Sequence, residues 1–100
     1  PITNSEISAY NYPNPFNPNV QSTTIAYSLG TNQPVTIKIY NLAGELVRTL
    51  IDGVQRPAGL CEDIWYGKND DQETVSEGIY IAVVKTNDGT ARVKIAVNKK

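Results

Sequence analysis

The sequence predicts an all-β fold, a two-layered sandwich of about seven antiparallel strands. Apolar residues recur at every second position along most of the chain, which is the spacing of strands rather than helices. Turn-forming Gly, Pro, Asn and Asp residues interrupt these runs at intervals of roughly ten residues. The length of 100 residues fits one domain, because compact domains mostly contain about 100–150 residues. A small barrel is the alternative architecture.

The chain opens with a short polar segment and a proline-rich one. Residues 1–6 are predicted to be the remnant of a linker, which leaves residues 7–100 as the domain. The proline-rich segment consists of Pro13, Asn14, Pro15, Phe16, Asn17 and Pro18. Its three prolines remove backbone donors and exclude both a helix and a central strand, so an edge segment is expected. Phe16, the only Phe, is expected to anchor this segment in the core.

Strands are predicted at residues 24–29, 35–40, 45–51, 60–66, 78–85 and 90–97. The run 45–51 also fits helical spacing. It is interpreted as a strand that can carry a bulge, because it is short and Asp52-Gly53 closes it. Residues 55–59 are predicted to be a loop, 67–74 a polar turn, and 41–44 and 87–89 tight hairpin turns.

The predicted core is centred on Trp65, the only Trp. Its expected neighbours, all assigned to inward-facing strand positions, are Ile25, Val35, Ile37, Ile39, Ile81, Val83, Val93 and Ile95. Cys61 and Asp63 share the face of Trp65, so either that face is partly wet or Asp63 finds a hydrogen-bond donor. Together these strands and turns are typical of an immunoglobulin-like β-sandwich.

Several kinds of site are excluded by composition. Without His the chain has no His-based catalytic pair and no imidazole metal ligand. The single Cys61 allows neither an internal disulfide nor a Cys-based zinc or iron–sulfur site. No phosphate-binding loop motif occurs. We therefore expect no cofactor and no enzymatic activity.

The charge and hydropathy of the chain argue against two classes of partner. Nine basic and ten acidic residues give a net charge of −1, which does not favour nucleic acid. The apolar runs are far shorter than the ~20 residues needed to span a bilayer, so no transmembrane segment is predicted. The chain begins at Pro1 and contains no Met, which indicates a processed piece or an excised domain of a larger protein.

A series of ordered blocks resembles the FlgD-like immunoglobulin family, and more narrowly the C-terminal sorting domains of the type IX secretion system. The blocks are N-Y-P-N-P-F-N-P at 11–18, T-T-I-A-Y-S-L at 23–29 and the long run 35–50, and the likeness continues through 58–59, 65–67 and 78–80 to 93–94 and 99–100. One departure is Tyr66, which stands where the family usually has the Asp of a Trp-Asp-Gly motif.

The resemblance implies a non-catalytic domain that directs export and surface attachment. Such domains lie at the C-terminus of secreted bacterial proteins and are recognised by the outer-membrane secretion machinery. The implied partners are that machinery and an N-terminal catalytic or adhesive cargo domain. The implied location is outside the cell or on its surface, with the periplasm in transit. Recognition is expected to involve a folded sandwich with an exposed C-terminal strand.

The residues that such machinery would read are the proline-rich segment, Gly78, Tyr80, Lys94, Lys99 and Lys100. Each has a structural alternative. The proline-rich segment can cover a sheet edge, Tyr80 can brace a loop as a tyrosine corner, and the lysines can be solvated side chains.

Two further features are assigned structural roles. Asp70, Asp71 and Glu73 do not follow the spacing of a Ca²⁺-binding loop, so a plain hairpin loop is expected. Cys61 is expected to be a small apolar strand residue rather than a reactive thiol. The alternative function is an accessory module of a secreted hydrolase, either a structural spacer or a carbohydrate-binding domain with Tyr40 and Tyr66 as stacking platforms.

Overall fold

The computed structural model describes residues 7–100, and the predicted linker remnant at 1–6 lies outside them. It contains seven strands, all in antiparallel pairs, which confirms the predicted fold class. The strands are β1 (Ala9–Tyr12), β2 (Thr23–Leu29), β3 (Gln33–Asn41), β4 (Leu46–Arg56), β5 (Gly59–Trp65), β6 (Gly78–Thr86) and β7 (Gly89–Val97). No helix among the described residues has the length and apolar character that a membrane crossing requires.

The strands form two sheets that pack face to face. One sheet has the order β1-β2-β5 and the other the order β4-β3-β6-β7. In the constant-type immunoglobulin arrangement the fourth strand pairs with the fifth. Here β4 pairs with β3 instead, so the edge strands are β1 and β5 in one sheet and β4 and β7 in the other.

The core lies between the sheets and is centred on Trp65, as predicted. Phe16 and Tyr80 meet its indole edge-on, each with ring centroids 5.7 Å away, a favoured arrangement of aromatic pairs. The predicted phase of β6 is wrong. Ile81 and Val83 are half-buried on the outer face, and it is Tyr80, Ala82 and Val84 that point inward.

The strand β4 is longer than predicted. It continues through Asp52 and Gly53 to Arg56, so the predicted loop at 55–59 is reduced to a turn at Pro57 and Ala58. Three register shifts in the pairing with β3 mark bulges. Gly53, with φ +63°, takes the left-handed conformation inside the strand. An Asp-Gly pair commonly ends a strand, but here a bulge accommodates it and the strand continues.

Two connections differ from the expected turns. The predicted polar turn after β5 is a crossover between the sheets rather than a hairpin loop, because β5 and β6 belong to different sheets. Val75 in this crossover is buried. The hairpin between β6 and β7 occurs as predicted and is capped by buried Gln33, whose side chain donates to Asp88 Oδ2 at 2.9 Å and accepts from Asn87 N–H at 2.8 Å.

Candidate functional site

The proline-rich segment lies along the outer edge of β7 and covers it. The side-chain amide of Asn14 donates to the carbonyl of Lys94 and accepts from the N–H of Ala96, each at 2.9 Å. Phe16 continues the pairing, because its N–H donates to the carbonyl of Ala96 and its carbonyl accepts from the N–H of Asn98, each at 3.0 Å. The segment therefore has the edge-covering role that its prolines suggested.

Phe16 and Pro18 attach this segment to the rest of the sandwich. Phe16 is 1% exposed and packs on Trp65, which confirms its expected anchoring role. Pro18 lies against Gly67, where a Cβ would come within 2.4 Å of the Pro18 Cβ. Gly67 also has a φ of +73°. The glycine two residues after Trp65 is thus required both by backbone conformation and by the approach of Pro18.

Further hydrogen bonds order the two ends of the proline-rich segment. The Thr23 hydroxyl donates to the carbonyl of Pro13 at 2.9 Å and accepts from the Asn11 side chain at 3.0 Å. At the other end, the carbonyl of Asn17 accepts from the backbone N–H of Gln21 at 2.8 Å. Pro13, Asn14 and Pro15 remain exposed on the surface.

Tyr80 forms a tyrosine-corner brace. Its hydroxyl donates to the carbonyl of Ser76 at 2.7 Å, just before β6 begins, and its ring packs on Trp65. Burial raises the pKa of this hydroxyl, so it stays protonated. Gly78 has a φ of +150° and open space at its Cβ position. Backbone conformation rather than packing therefore favours glycine there.

The three lysines lie at two different places. Lys99 and Lys100 follow β7, and the backbone N–H of Lys99 donates to Glu77 Oε2 at 2.7 Å. Lys100, Pro15 and Gly78 line one shallow cavity of about 490 Å³. Lys94 lies on the outer face of the four-stranded sheet, opposite Ile81 in the register. The structure therefore separates the side chain of Lys94 from those of the other two.

We call the proline-rich segment, the start of β6 and the end of β7 with residues 98–100 the C-terminal corner. It unites sequence blocks that lie far apart in the chain, with Phe16 and Tyr80 buried and Pro13, Pro15, Gly78 and Lys100 exposed. The expectation of an exposed C-terminal strand is wrong for the edge of β7 between Lys94 and Asn98. Asn14 and Phe16 already occupy the backbone groups there.

The sequence left open how Asp63 is accommodated on the inner face, and the structure supplies two donors. The Tyr27 hydroxyl donates to Asp63 Oδ2 at 2.6 Å, and Arg56 donates to Oδ1 at 2.5 Å. Burial, followed by the bond to Asp63, raises the pKa of Tyr27, and the bond to Asp63 raises that of Arg56. Arg56 was missed as the partner because the strand was expected to end before it.

Asp70 of the crossover binds the backbone of β4. Asp70 accepts the N–H of Thr49 at 3.0 Å and donates its own N–H to the carbonyl of Val47 at 3.0 Å, which covers part of the edge of β4. Within residues 7–100, no group of three or more His, Cys, Asp or Glu is arranged to hold a metal ion. Cys61 is buried, and burial raises the pKa of its thiol, which makes it a poor nucleophile.

The exposed tyrosines do not form the platform that the sequence suggested. Tyr40 lies on β3 in the four-stranded sheet, whereas Tyr66 follows β5 in the three-stranded sheet. Tyr10 and Tyr12 on β1 are both exposed, but they stack on one another with centroids 6.0 Å apart and planes at 28°. Their faces are partly occupied by this mutual stacking.

No family model and no curated protein sequence matches the chain. The structure resembles part of PorZ from Porphyromonas gingivalis, described as an essential bacterial surface component of the type IX secretion system, with a TM-score of 0.61 and 25% identity over 90% of this chain. It also resembles part of dimeric latent PorU from the same organism, with a TM-score of 0.62 and 20% identity over 92% of this chain. The chain spans only 11% of that PorZ chain and 9% of that PorU chain.

Proposed function

We propose that this domain is a non-catalytic sorting and anchoring module at the C-terminus of a larger secreted bacterial protein. It directs type IX export across the outer membrane and attachment to the cell surface. Its partners are the outer-membrane secretion machinery and the cargo domain that precedes it, and it acts in the periplasm in transit and then outside the cell. It is a FlgD-like immunoglobulin domain.

The observation that carries this proposal is the C-terminal corner. Blocks that resemble the sorting-domain family at 11–18, 78–80 and 99–100 converge there on one strand end. A spacer needs no such convergence of exposed prolines and terminal lysines. The structural likeness to a segment of PorZ supports the same assignment, because PorZ is a surface component of the type IX system.

The corner offers a rigid, folded surface for recognition. Phe16 and Tyr80 hold the two sides of the corner against Trp65, which fixes the positions of the exposed groups. The exposed groups are Pro15, Gly78 and Lys100, which line the shallow cavity, and Pro13 in the same segment. Recognition then depends on the folded corner rather than on pairing with the edge of β7, which is already covered.

The test is export of a reporter. Residues 1–100 are fused to the C-terminus of a periplasmically targeted fluorescent protein, in type IX-competent cells and in a translocon-null strain. We expect the reporter in the medium and on the surface of the competent cells alone. The variant Lys99→Gln/Lys100→Gln removes two charges from the C-terminal corner, one of them at the cavity, and should reduce export. Lys38→Gln/Lys85→Gln removes two charges from β3 and β6 and should not.

Purified variants with unchanged melting temperatures separate a recognition defect from an unfolded domain. Reporter that stays in the periplasm of both strains would contradict the sorting function in that host. Equal export by the two double variants would contradict the role of the terminal lysines. Export that persists in the translocon-null strain would remove the link to the type IX system.

The second candidate is an accessory module of a secreted hydrolase. Exposed Tyr10 and Tyr12 favour a carbohydrate-binding version, because aromatic rings can pack on the C–H faces of sugars. Their mutual stacking leaves less ring face for a sugar than a flat platform would. Retention on insoluble polysaccharide that is lost in Tyr10→Ala/Tyr12→Ala and kept in Tyr66→Ala would favour this candidate.

A further inference from the structure

Two edge strands of the sandwich are protected by the same device. A polar side chain and its neighbouring backbone imitate a strand partner: Asn14 does so on β7, and Asp70 does so on β4 between Val47 and Thr49. The rest of β4 is bulged against β3, which also discourages pairing. The third edge strand, β1, has only four residues.

The remaining edge strand, β5, has none of these protections. It pairs with β2 in an unbroken register over all seven of its residues, without a bulge. Within residues 7–100, no strand, loop or side chain bonds to the backbone of β5 on its other edge between Leu60 and Trp65. Leu60 and Ile64 on its outward face, and Tyr66 just after it, are 62%, 45% and 59% exposed.

A cleft of about 350 Å³ runs along this unprotected edge, between β5 and β4 of the opposite sheet. Leu50, Ile51 and Trp65 give it apolar walls, and Lys68 gives it a basic group. Two other charged residues of the lining are already paired, Arg48 with Asp70 at 3.7 Å and Asp63 with Arg56. A strand added to β5 would place every second side chain toward this cleft and the others beside Leu60 and Ile64, because side chains alternate across a strand.

We propose that the edge of β5 binds an extended strand of a partner protein by β-strand addition. The bound strand has apolar residues facing the cleft and an acidic residue on the same face that complements Lys68. A second copy of this chain fits less well, since antiparallel self-pairing that aligns Leu60 with Ile64 sets Glu62 against the Glu62 of the other copy. This site is separate from the C-terminal corner and does not rest on the proposed sorting function.

The probe is the peptide fluorescein-Thr-Val-Thr-Val-Thr-Val-Thr-Asp-amide, labelled at its N-terminus, whose three Val residues and Asp share one face. Binding to the whole chain is measured by fluorescence anisotropy, and the site is mapped by amide chemical-shift changes. Two further peptides carry N-methyl groups at odd or at even positions. Only one of these keeps its donors directed at β5, so we expect one to bind like the parent and the other about tenfold or more weakly.

The protein variant Ile64→Lys places a charge beside the edge and should abolish binding. Leu42→Lys, at an exposed leucine of the hairpin between β3 and β4, is the matched control and should bind normally. The proposal is overturned by no binding at about 1 mM peptide, by equal losses from both N-methylated peptides, or by shifts at β7 or β4 instead of β5. A dimer in sedimentation equilibrium with protected β5 amides would overturn it in favour of a second copy.

Discussion

Asn14→Ala tests whether the cover of β7 stabilises the domain. The change removes two hydrogen bonds of 2.9 Å, one to the Lys94 carbonyl and one from the Ala96 N–H. It also removes a longer, exposed one of 3.2 Å to Asn11 Oδ1, which we expect to add little. A single intramolecular hydrogen bond contributes about 0.5–1.5 kcal/mol net, so the two contribute about 1–3 kcal/mol. The exposed site lets water replace the lost partner, which favours the lower half, about 1–2 kcal/mol. Since about 1 kcal/mol shifts the melting temperature of such a domain by roughly 4–8 °C, we expect a fall of about 4–16 °C.

Guanidinium unfolding gives the change in the free energy of unfolding, and amide hydrogen exchange gives its location. Exchange at Ala96 should accelerate in Asn14→Ala, because its N–H loses its acceptor. Asn19→Ala is the matched control, since Asn19 is exposed and its side chain makes no hydrogen bond among the described residues. Unchanged stability together with an unchanged Ala96 exchange rate would refute the reasoning that Asn14 acts as a strand partner.

Three other changes test separate parts of the structure. Gly67→Ala forces a side chain into a left-handed conformation, at about 1–2 kcal/mol, and against Pro18, at about 1–3 kcal/mol. On the same scale of roughly 4–8 °C per kcal/mol, thermal unfolding should show a fall of about 8 °C or more; an unchanged melting temperature would contradict the close approach. Tyr80→Phe removes the bond to the Ser76 carbonyl and should lower the free energy of unfolding by about 1 kcal/mol in denaturant titration; full stability would show that the brace is dispensable. The raised pKa of Tyr27 means that its proton is held more tightly in the folded state, so stability is fully present below pH 10 and falls above it, by up to about 1.4 kcal/mol per pH unit. Tyr27→Phe should flatten this decline between pH 10 and 11, whereas Tyr66→Phe is the control for loss of an exposed hydroxyl.

The alternation of apolar and polar residues was sufficient to predict the inner faces of β3 and β7. In β3, Thr36 and Lys38 separate the apolar residues, so only one phase buries the apolar side chains. Residues 79–84 of β6 contain no polar residue, and either phase was allowed. The tyrosine corner decides the phase, because Tyr80 must face Trp65 while its hydroxyl reaches Ser76.

The C-terminal corner was predicted in its parts but not in its assembly. The prolines indicated an edge segment, and the lone Phe16 indicated an anchor. Which edge they cover depends on pairing between residues about 80 positions apart, and no local pattern encodes that. The partner of Asp63 was missed for a similar reason, because Arg56 reaches it only after β4 has continued through an Asp-Gly pair that normally ends a strand.

The cover of β7 also has a consequence for how the domain folds. The bond between Asn14 and Ala96 spans 82 positions in the chain, and such distant contacts are characteristic of slow folding. During synthesis, Asn14 and Phe16 are made early, and their hydrogen-bond partners on β7 are made only near the end of the domain. A chain that stops short of Ala96 leaves Phe16 without its backbone partners and Trp65 without its cover. The corner is therefore present only when the two ends of the domain have met, which distinguishes a finished domain from a fragment.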